Sequence, residues 1–101
     1  MWMMVLFDLP VILPEERKRA SRFRLFLLDQ GFDMVQFSVY SRFAASRERA
    51  DALTRRVAEA VPQDGKVDIL FFTDRQYQQI VSFRGKKPSP MPEKPVQLAL
   101  F

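Results

Sequence analysis

The sequence predicts an α+β domain, and three observations carry that prediction. Residues 3–7, 32–43 and 66–73 are apolar or alternating runs that read as strands. Between them lie two segments with apolar residues at helical spacing and clear start and stop signals. Turn chemistry, chiefly Gly31, Pro62 and Asp64-Gly65, falls at the joins. With 101 residues and 48% hydrophobic content, the chain supports one core, burying roughly 60–70% of its unfolded surface.

The first run, Met3-Met4-Val5-Leu6-Phe7, ends in Asp8 and then Leu9-Pro10. A carboxylate closing a buried strand is either a turn former or a group presented to a ligand. Pro14-Glu15-Glu16 then opens a helix, with proline and two acids in its first turn, and Gly31 closes it. Ala20, Phe23, Phe26 and Leu27 share its core face, while Lys18, Arg22, Leu25 and Asp29 lie opposite. Arg17, Lys18, Arg19, Arg22 and Arg24 crowd this helix just after Asp8.

Residues 32–43 are rich in β-branched and aromatic types and alternate, with Val35, Phe37 and Val39 on one face and Met34, Gln36, Ser38 and Tyr40 on the other. Neither face is fully polar, so both are expected to be covered, one by helices and one by a second subunit. Ser46 caps a second helix with Ala50, Leu53, Val57 and Val61 at core spacing, ended by Pro62. Asp64-Gly65 turns into 66–73, which reads as a central strand, and 80–84 reads as another short strand before Gly85.

Residues 86–95 hold prolines at 88, 90, 92 and 95, so the segment reads as a semi-rigid spacer of about 3 Å per residue. Val96-Gln97-Leu98-Ala99-Leu100-Phe101 follows as a strand pattern suited to docking by strand addition on another subunit or protein. The expected division is therefore a domain at 1–85, a spacer at 86–95 and a docking strand at 96–101. If 32–43 reverses near Gln36 to Ser38, the order becomes the ferredoxin-like βαββαβ arrangement with an added C-terminal strand.

Composition narrows the chemistry. The chain has no cysteine and no histidine, which removes disulfides, thiolate and Ser-His nucleophiles, and the commonest transition-metal ligands. Sixteen Lys and Arg against twelve Asp and Glu give a net charge of +4, and the excess of Arg favours forked contacts to a polyanion. The apolar runs are too short to span a bilayer and no secretory leader is recognisable, so a soluble, unprocessed, cytoplasmic protein is expected.

Phe7-Asp8-Leu9, the Arg-rich first helix, Gly31-Phe32 leading to Gln36-Phe37-Ser38-Val39-Tyr40, and Gly65-Lys66-Val67 resemble, in this order, the CRISPR-associated protein 2 family. The likeness covers nearly the whole chain. Phe-Asp-Leu-Pro and Gln-Phe-Ser-Val-Tyr-Ser are similar to members that accompany type II effectors. The resemblance implies a homodimer with facing sheets, a magnesium site with Asp8 as its catalytic and metal-binding residue, and a role in spacer acquisition beside the integrase subunit, CRISPR-associated protein 1. It also implies metal-dependent cleavage of RNA or duplex DNA, or a scaffold that binds duplex DNA without cutting it. Phe7 stands where many members have Tyr, which removes a hydroxyl beside the metal.

One carboxylate makes a poor Mg²⁺ site, since the ion takes six oxygen ligands. Twofold symmetry mends that if each subunit places Asp8 near the dimer axis, where two carboxylates converge on one ion. Nucleic-acid contacts are expected from Arg17, Lys18, Arg19, Arg22, Arg24 and Arg42. An RNA-recognition module is disfavoured, because Phe71-Phe72 lacks the glycine pattern of its stacking strand.

Overall fold

The computed structural model describes residues 1–90. Its elements are β1 (Trp2–Asp8), α1 (Pro14–Asp29), β2 (Asp33–Gln36), β3 (Val39–Phe43), α2 (Arg47–Ala60), β4 (Lys66–Phe72), α3 (Asp74–Gln78), β5 (Ser82–Arg84) and β6 (Lys87–Ser89). Four strands form one sheet in the order β2-β3-β1-β4, with β1 antiparallel to both neighbours. That order and the alternation of strands and helices make the fold ferredoxin-like, as expected.

Register decides which face of the sheet each residue serves. Val5 stands opposite Tyr40 on one side and Ile69 on the other, and Met3 and Phe7 share its face with Phe71 and Val67. This face carries the helices: Met3, Val5, Phe7 and Tyr40 pack with Ala20, Phe23 and Leu27 of α1 and Ala50, Leu53 and Val57 of α2. Fully burying each large apolar side chain contributes about 1.5–3 kcal/mol.

Local signals set the helix ends. Glu16 reaches back so that its carboxylate accepts from the backbone N–H of Leu13 at 2.8 Å and of Ile12 at 3.1 Å. Gly31, with φ +87, supplies the left-handed residue that ends α1. On α2 the Ser46 hydroxyl accepts from the Arg49 N–H at 3.2 Å. The helix stops at Ala60, so Val61 lies in its extended cap and is exposed rather than core.

The hairpin reverses where the sequence placed it, through Phe37-Ser38. Ser38 takes φ +76 without the Gly or Asn such a turn favours. Its carbonyl is held by the Phe7 N–H at 3.1 Å, a bond that ties the turn to β1. The reversal makes Tyr40 core while Phe37 sits 75% exposed at the tip, and a register shift after Met34 sets Gln36 opposite Val39, so the expected alternation of Val35, Phe37 and Val39 against Met34, Gln36, Ser38 and Tyr40 does not hold across the turn.

Two expectations change. The strand beginning at Lys66 is an edge strand, because β1 takes the centre by pairing on both sides and nothing among the described residues pairs β4's outer edge. The proline-rich segment begins as strand: β6 pairs with β5 around Gly85-Lys86. Antiparallel pairs alternate between hydrogen-bonded and non-bonded positions, and the two-residue loop closes on the bonded pair Arg84↔Lys87. Pro88, opposite Phe83, therefore occupies a position that needs no ladder N–H. The rest of the spacer and the expected strand at 96–101 lie outside the described residues. No described helix is long and apolar enough to cross a membrane.

Leu27 is 0% exposed and its neighbour Leu28 is 48% exposed, so the two should respond differently to truncation. Leu27→Ala is expected to cost about 2–5 kcal/mol in denaturant unfolding, and Leu28→Ala less than about 0.5 kcal/mol. Equal losses would contradict the assigned face of α1.

Candidate functional site

The face of the sheet away from α1 and α2 carries the side chains that alternate with the core set: Trp2, Met4, Leu6 and Asp8 from β1, with Lys66, Asp68 and Leu70 from β4. Its two ends differ. At the start of β1, α3 covers the sheet: Tyr77 stacks on Trp2 with centroids 4.0 Å apart, and the Trp2 indole N–H donates to Asp74 at 2.9 Å. Tyr77 and Ser41 share a hydroxyl hydrogen bond at 3.3 Å. Burial pushes the Tyr77 phenol pKa up, the Ser41 bond works against that, and nearby Asp33 adds to it.

Toward Asp8 nothing among the described residues covers the face. Met4, Leu6 and Val39 are only partly buried, and Leu70 is 37% exposed. A shallow pocket is lined by Leu6, Phe7, Asp8, Ser38, Val39, Lys66 and Asp68. Asp8 is exposed because Phe7 before it turns into the core, so strand alternation sends the carboxylate the other way.

Register brings a second acid to this place, which the sequence alone did not reveal. Asp8 stands opposite Lys66, and Leu6 opposite Asp68, so Asp8 and Asp68 are diagonal neighbours on one face, about 7–8 Å apart at the backbone. Lys66 Nζ lies 3.4 Å from Asp68 Oδ2. Both partners are well exposed, so the pair holds with well under about 1 kcal/mol and yields readily to a competing cation. The period-two signal in 66–73 could have flagged Asp68 only if the pairing of β1 with β4 were known.

These donors suit a hard divalent cation, since exposed carboxylate oxygens are what Mg²⁺ takes. Among the described residues no group of three or more Asp, Glu, His or Cys side chains converges. The described residues thus offer at most this pair to such an ion, and water, phosphate or a second copy would have to complete its shell.

Gly65 fixes the position of Asp8. Its φ is +98, and a Cβ there would lie 2.7 Å from the Asp8 carbonyl oxygen and 2.8 Å from Leu9 Cδ2. Only glycine lets the α2–β4 turn pass this close to the end of β1.

The expected basic residues separate into different roles. Lys18 and Arg22 are exposed and line an open groove on α1 with Pro14, Arg17, Ser21 and Leu25. Arg17 also donates to the carbonyl of Ile12 at 2.6 Å, pinning the loop that follows Asp8, and Arg19 pairs with Asp64 at 3.2 Å. Arg24 lies over the Phe37 ring at 4.4 Å and reaches the Phe7 ring at 5.6 Å. Arg42 sits at the other end of α1, donating to the Gln30 carbonyl. The helices and Asp8 occupy opposite faces of the sheet, so the structure does not bring the basic groove and the carboxylate into one cleft.

Comparison with known proteins gives a consistent picture. A family model described as CRISPR associated protein Cas2 matches residues 1–80. A CRISPR-associated endoribonuclease Cas2 of Paracidovorax avenae is 52% identical over 101 residues, covering all of this chain and 94% of the relative. One of the same name from Flavobacterium psychrophilum is 46% identical, covering all of this chain and 88% of its own length. Among solved structures, Streptococcus pyogenes Cas2 superposes with a TM-score of 0.64 over 83% of this chain and 100% of that one, at 15% identity, a likeness of fold. Another crystal structure, of a protein called cas2, gives 0.58 over 91% and 97% at 26% identity.

Gly65→Ala is expected to destabilise the fold by about 1–3 kcal/mol through backbone strain, with added clash against Asp8 and Leu9. Denaturant unfolding measures it. A neutral substitution would show that the turn does not brace Asp8.

Proposed function

Because the chain belongs to the CRISPR-associated Cas2 family, we propose that it is a nucleic-acid-binding subunit of spacer acquisition and cleaves phosphodiester bonds with magnesium at Asp8. The observation that supports this reading is an exposed carboxylate at the end of an apolar sheet face that, beyond α3, no described residue covers. Met4, Leu6, Val39 and Leu70 give that face an apolar floor suited to a second copy. A facing sheet would bring a partner Asp8 toward the same ion. The relatives named endoribonuclease fit such an activity, and the cytoplasm is where its substrates occur.

Asp8 and Asp68 would hold the cation, each through a carboxylate oxygen. Bound magnesium supplies a polarised phosphate and a water of lowered pKa, which this chain has no histidine to provide. Lys66, released from Asp68, offers an ammonium to a phosphate oxygen. The apolar floor excludes bulk water from the seam and strengthens these interactions. Lys18 and Arg22 grip phosphates on the α1 surface, away from the cleavage site.

A scaffold reading is favoured by one observation: Phe7 has no hydroxyl, and its ring is committed to the core against Phe23 at 5.2 Å. On that reading the basic groove holds duplex DNA, and the integrase partner, CRISPR-associated protein 1, performs the chemistry. The outer edge of β4, unpaired among the described residues, offers a place for strand addition by such a partner or by a second copy.

Asp8→Asn separates the two readings. With magnesium, pure protein is expected to cleave RNA or duplex DNA, and Asp8→Asn to fall to the level of chelator-treated wild type while still binding duplex. Equal cleavage by wild type and variant would remove Asp8 from the chemistry. Replacing Lys18 and Arg22 with Ala should flatten the salt dependence of duplex binding by about 0.9 in log–log slope for each phosphate that is no longer neutralised. An unchanged slope would show that the α1 groove does not carry the nucleic acid.

A further inference from the structure

A second convergence of cations lies at the carboxyl end of α1, on the helix side of the sheet. Arg42 stands opposite Met3, a core-face residue, so its side chain runs toward α1. There it donates through Nη1 to the Gln30 carbonyl and lies beside Gly31, where an added Cβ would sit 3.5 Å from the guanidinium carbon. The Gln30 side-chain oxygen accepts from Arg56 Nη1 at 3.2 Å. Arg49 lies seven residues before Arg56 on α2, two turns along the same face, and both are exposed. Burial first, then the charges of Arg49 and Arg56, hold the Arg42 pKa below its ordinary value.

Among the described residues no acid forms an ion pair with any of these three arginines. The ion pairs there join Arg19 to Asp64, Arg47 to Asp51 and Lys66 to Asp68. Asp29 and Asp33, the acids flanking Gln30 in sequence, pair with none of the three arginines. The carbonyl end of α1 attracts Arg42, yet it supplies only a partial negative charge. Like charges gathered without a counter-ion oppose folding, and Gln30 holds two of the three guanidinium groups in place. Pre-positioned forks with unsatisfied donors are what a phosphate group engages bidentately.

We propose that Arg42, Arg49 and Arg56 form a phosphate-binding site at the end of α1, whose ligand is a phosphate of the nucleic-acid backbone. The inference rests on the nucleic-acid reading above and adds residues of α2 that the sequence did not single out. Along α1 at 1.5 Å per residue the Gln30 anchor lies about 12 Å from Arg22 and about 18 Å from Lys18. That is a span of roughly four to five nucleotide steps at 3.4 Å each, so it is a contact separable from the Lys18–Arg22 groove.

The test uses the full chain and its Arg49→Gln, Arg56→Gln double variant, both exposed positions at which glutamine keeps helix propensity. Thermal unfolding is followed in inorganic phosphate and in chloride of equal ionic strength, so that screening is constant. Phosphate is expected to raise the wild-type midpoint above the chloride value. The variant is expected to start at or above wild type in chloride, through relief of repulsion, and to gain less from phosphate. Equal phosphate gains in both proteins, or none in either, would overturn the site. A second arm measures the salt slope for a duplex oligonucleotide, where a slope shallower by about 0.9, the share of one phosphate, supports backbone phosphate as the ligand. A diminished phosphate effect with an unchanged slope would overturn the nucleic-acid assignment and leave free phosphate as the ligand. Wild-type protein that binds no duplex at all would instead defeat the broader functional reading.

Discussion

Pairing of β1 on both sides is the constraint on which the rest of the structure depends. Because β3 and β4 both bond to it, its register is fixed twice over, and a slip of one residue would turn every side chain to the other face. That register sends Met3, Val5 and Phe7 into the helices and Met4, Leu6 and Asp8 to the open face. The core and the candidate site are thus two readings of one alternating strand. Gly65 adds a third restraint by bringing the α2–β4 turn against the Asp8 backbone.

The same alternation explains why one domain divides its tasks. Helices α1 and α2 carry arginines on their side of the sheet, while the carboxylates and the apolar floor occupy the opposite side, which among the described residues only α3 covers in part. A protein that only bound nucleic acid through α1 would have no use for a half-exposed apolar sheet face with two acids at its rim. A second copy placed against that face accounts for the floor and the acids together. This joins the proposed dimer and the proposed metal chemistry in a single physical claim.

Much of the fold was legible because local signals agreed with the final structure. Pro14, Glu16 and Gly31 bracket α1, Ser46 and Pro62 bracket α2, and Gly65 opens β4; each acts within a few residues of where it is read. The hairpin was legible in place but not in mechanism, since Ser38 adopts a left-handed conformation that its tie to the Phe7 N–H stabilises from another strand. Facts that depend on pairing were out of reach. β4 looked central because its apolar residues alternate strongly, yet centrality belongs to whichever strand finds two partners. Asp68 looked like an ordinary polar position until register set it diagonal to Asp8. Likewise, Arg17, Arg19, Arg24 and Arg42 looked equivalent on charge, and only the folded chain shows that each already holds a loop, an aspartate, a ring or a helix end.

The central claim is that Asp8 acts as part of a site shared by two chains. Calorimetric titration with Mg²⁺, combined with the mass of the complex in solution, tests it most directly. The account predicts a dimer that binds one ion per two chains, with Asp8→Asn abolishing that binding and leaving the dimer intact. One ion per isolated chain, or binding unchanged in Asp8→Asn, would contradict it.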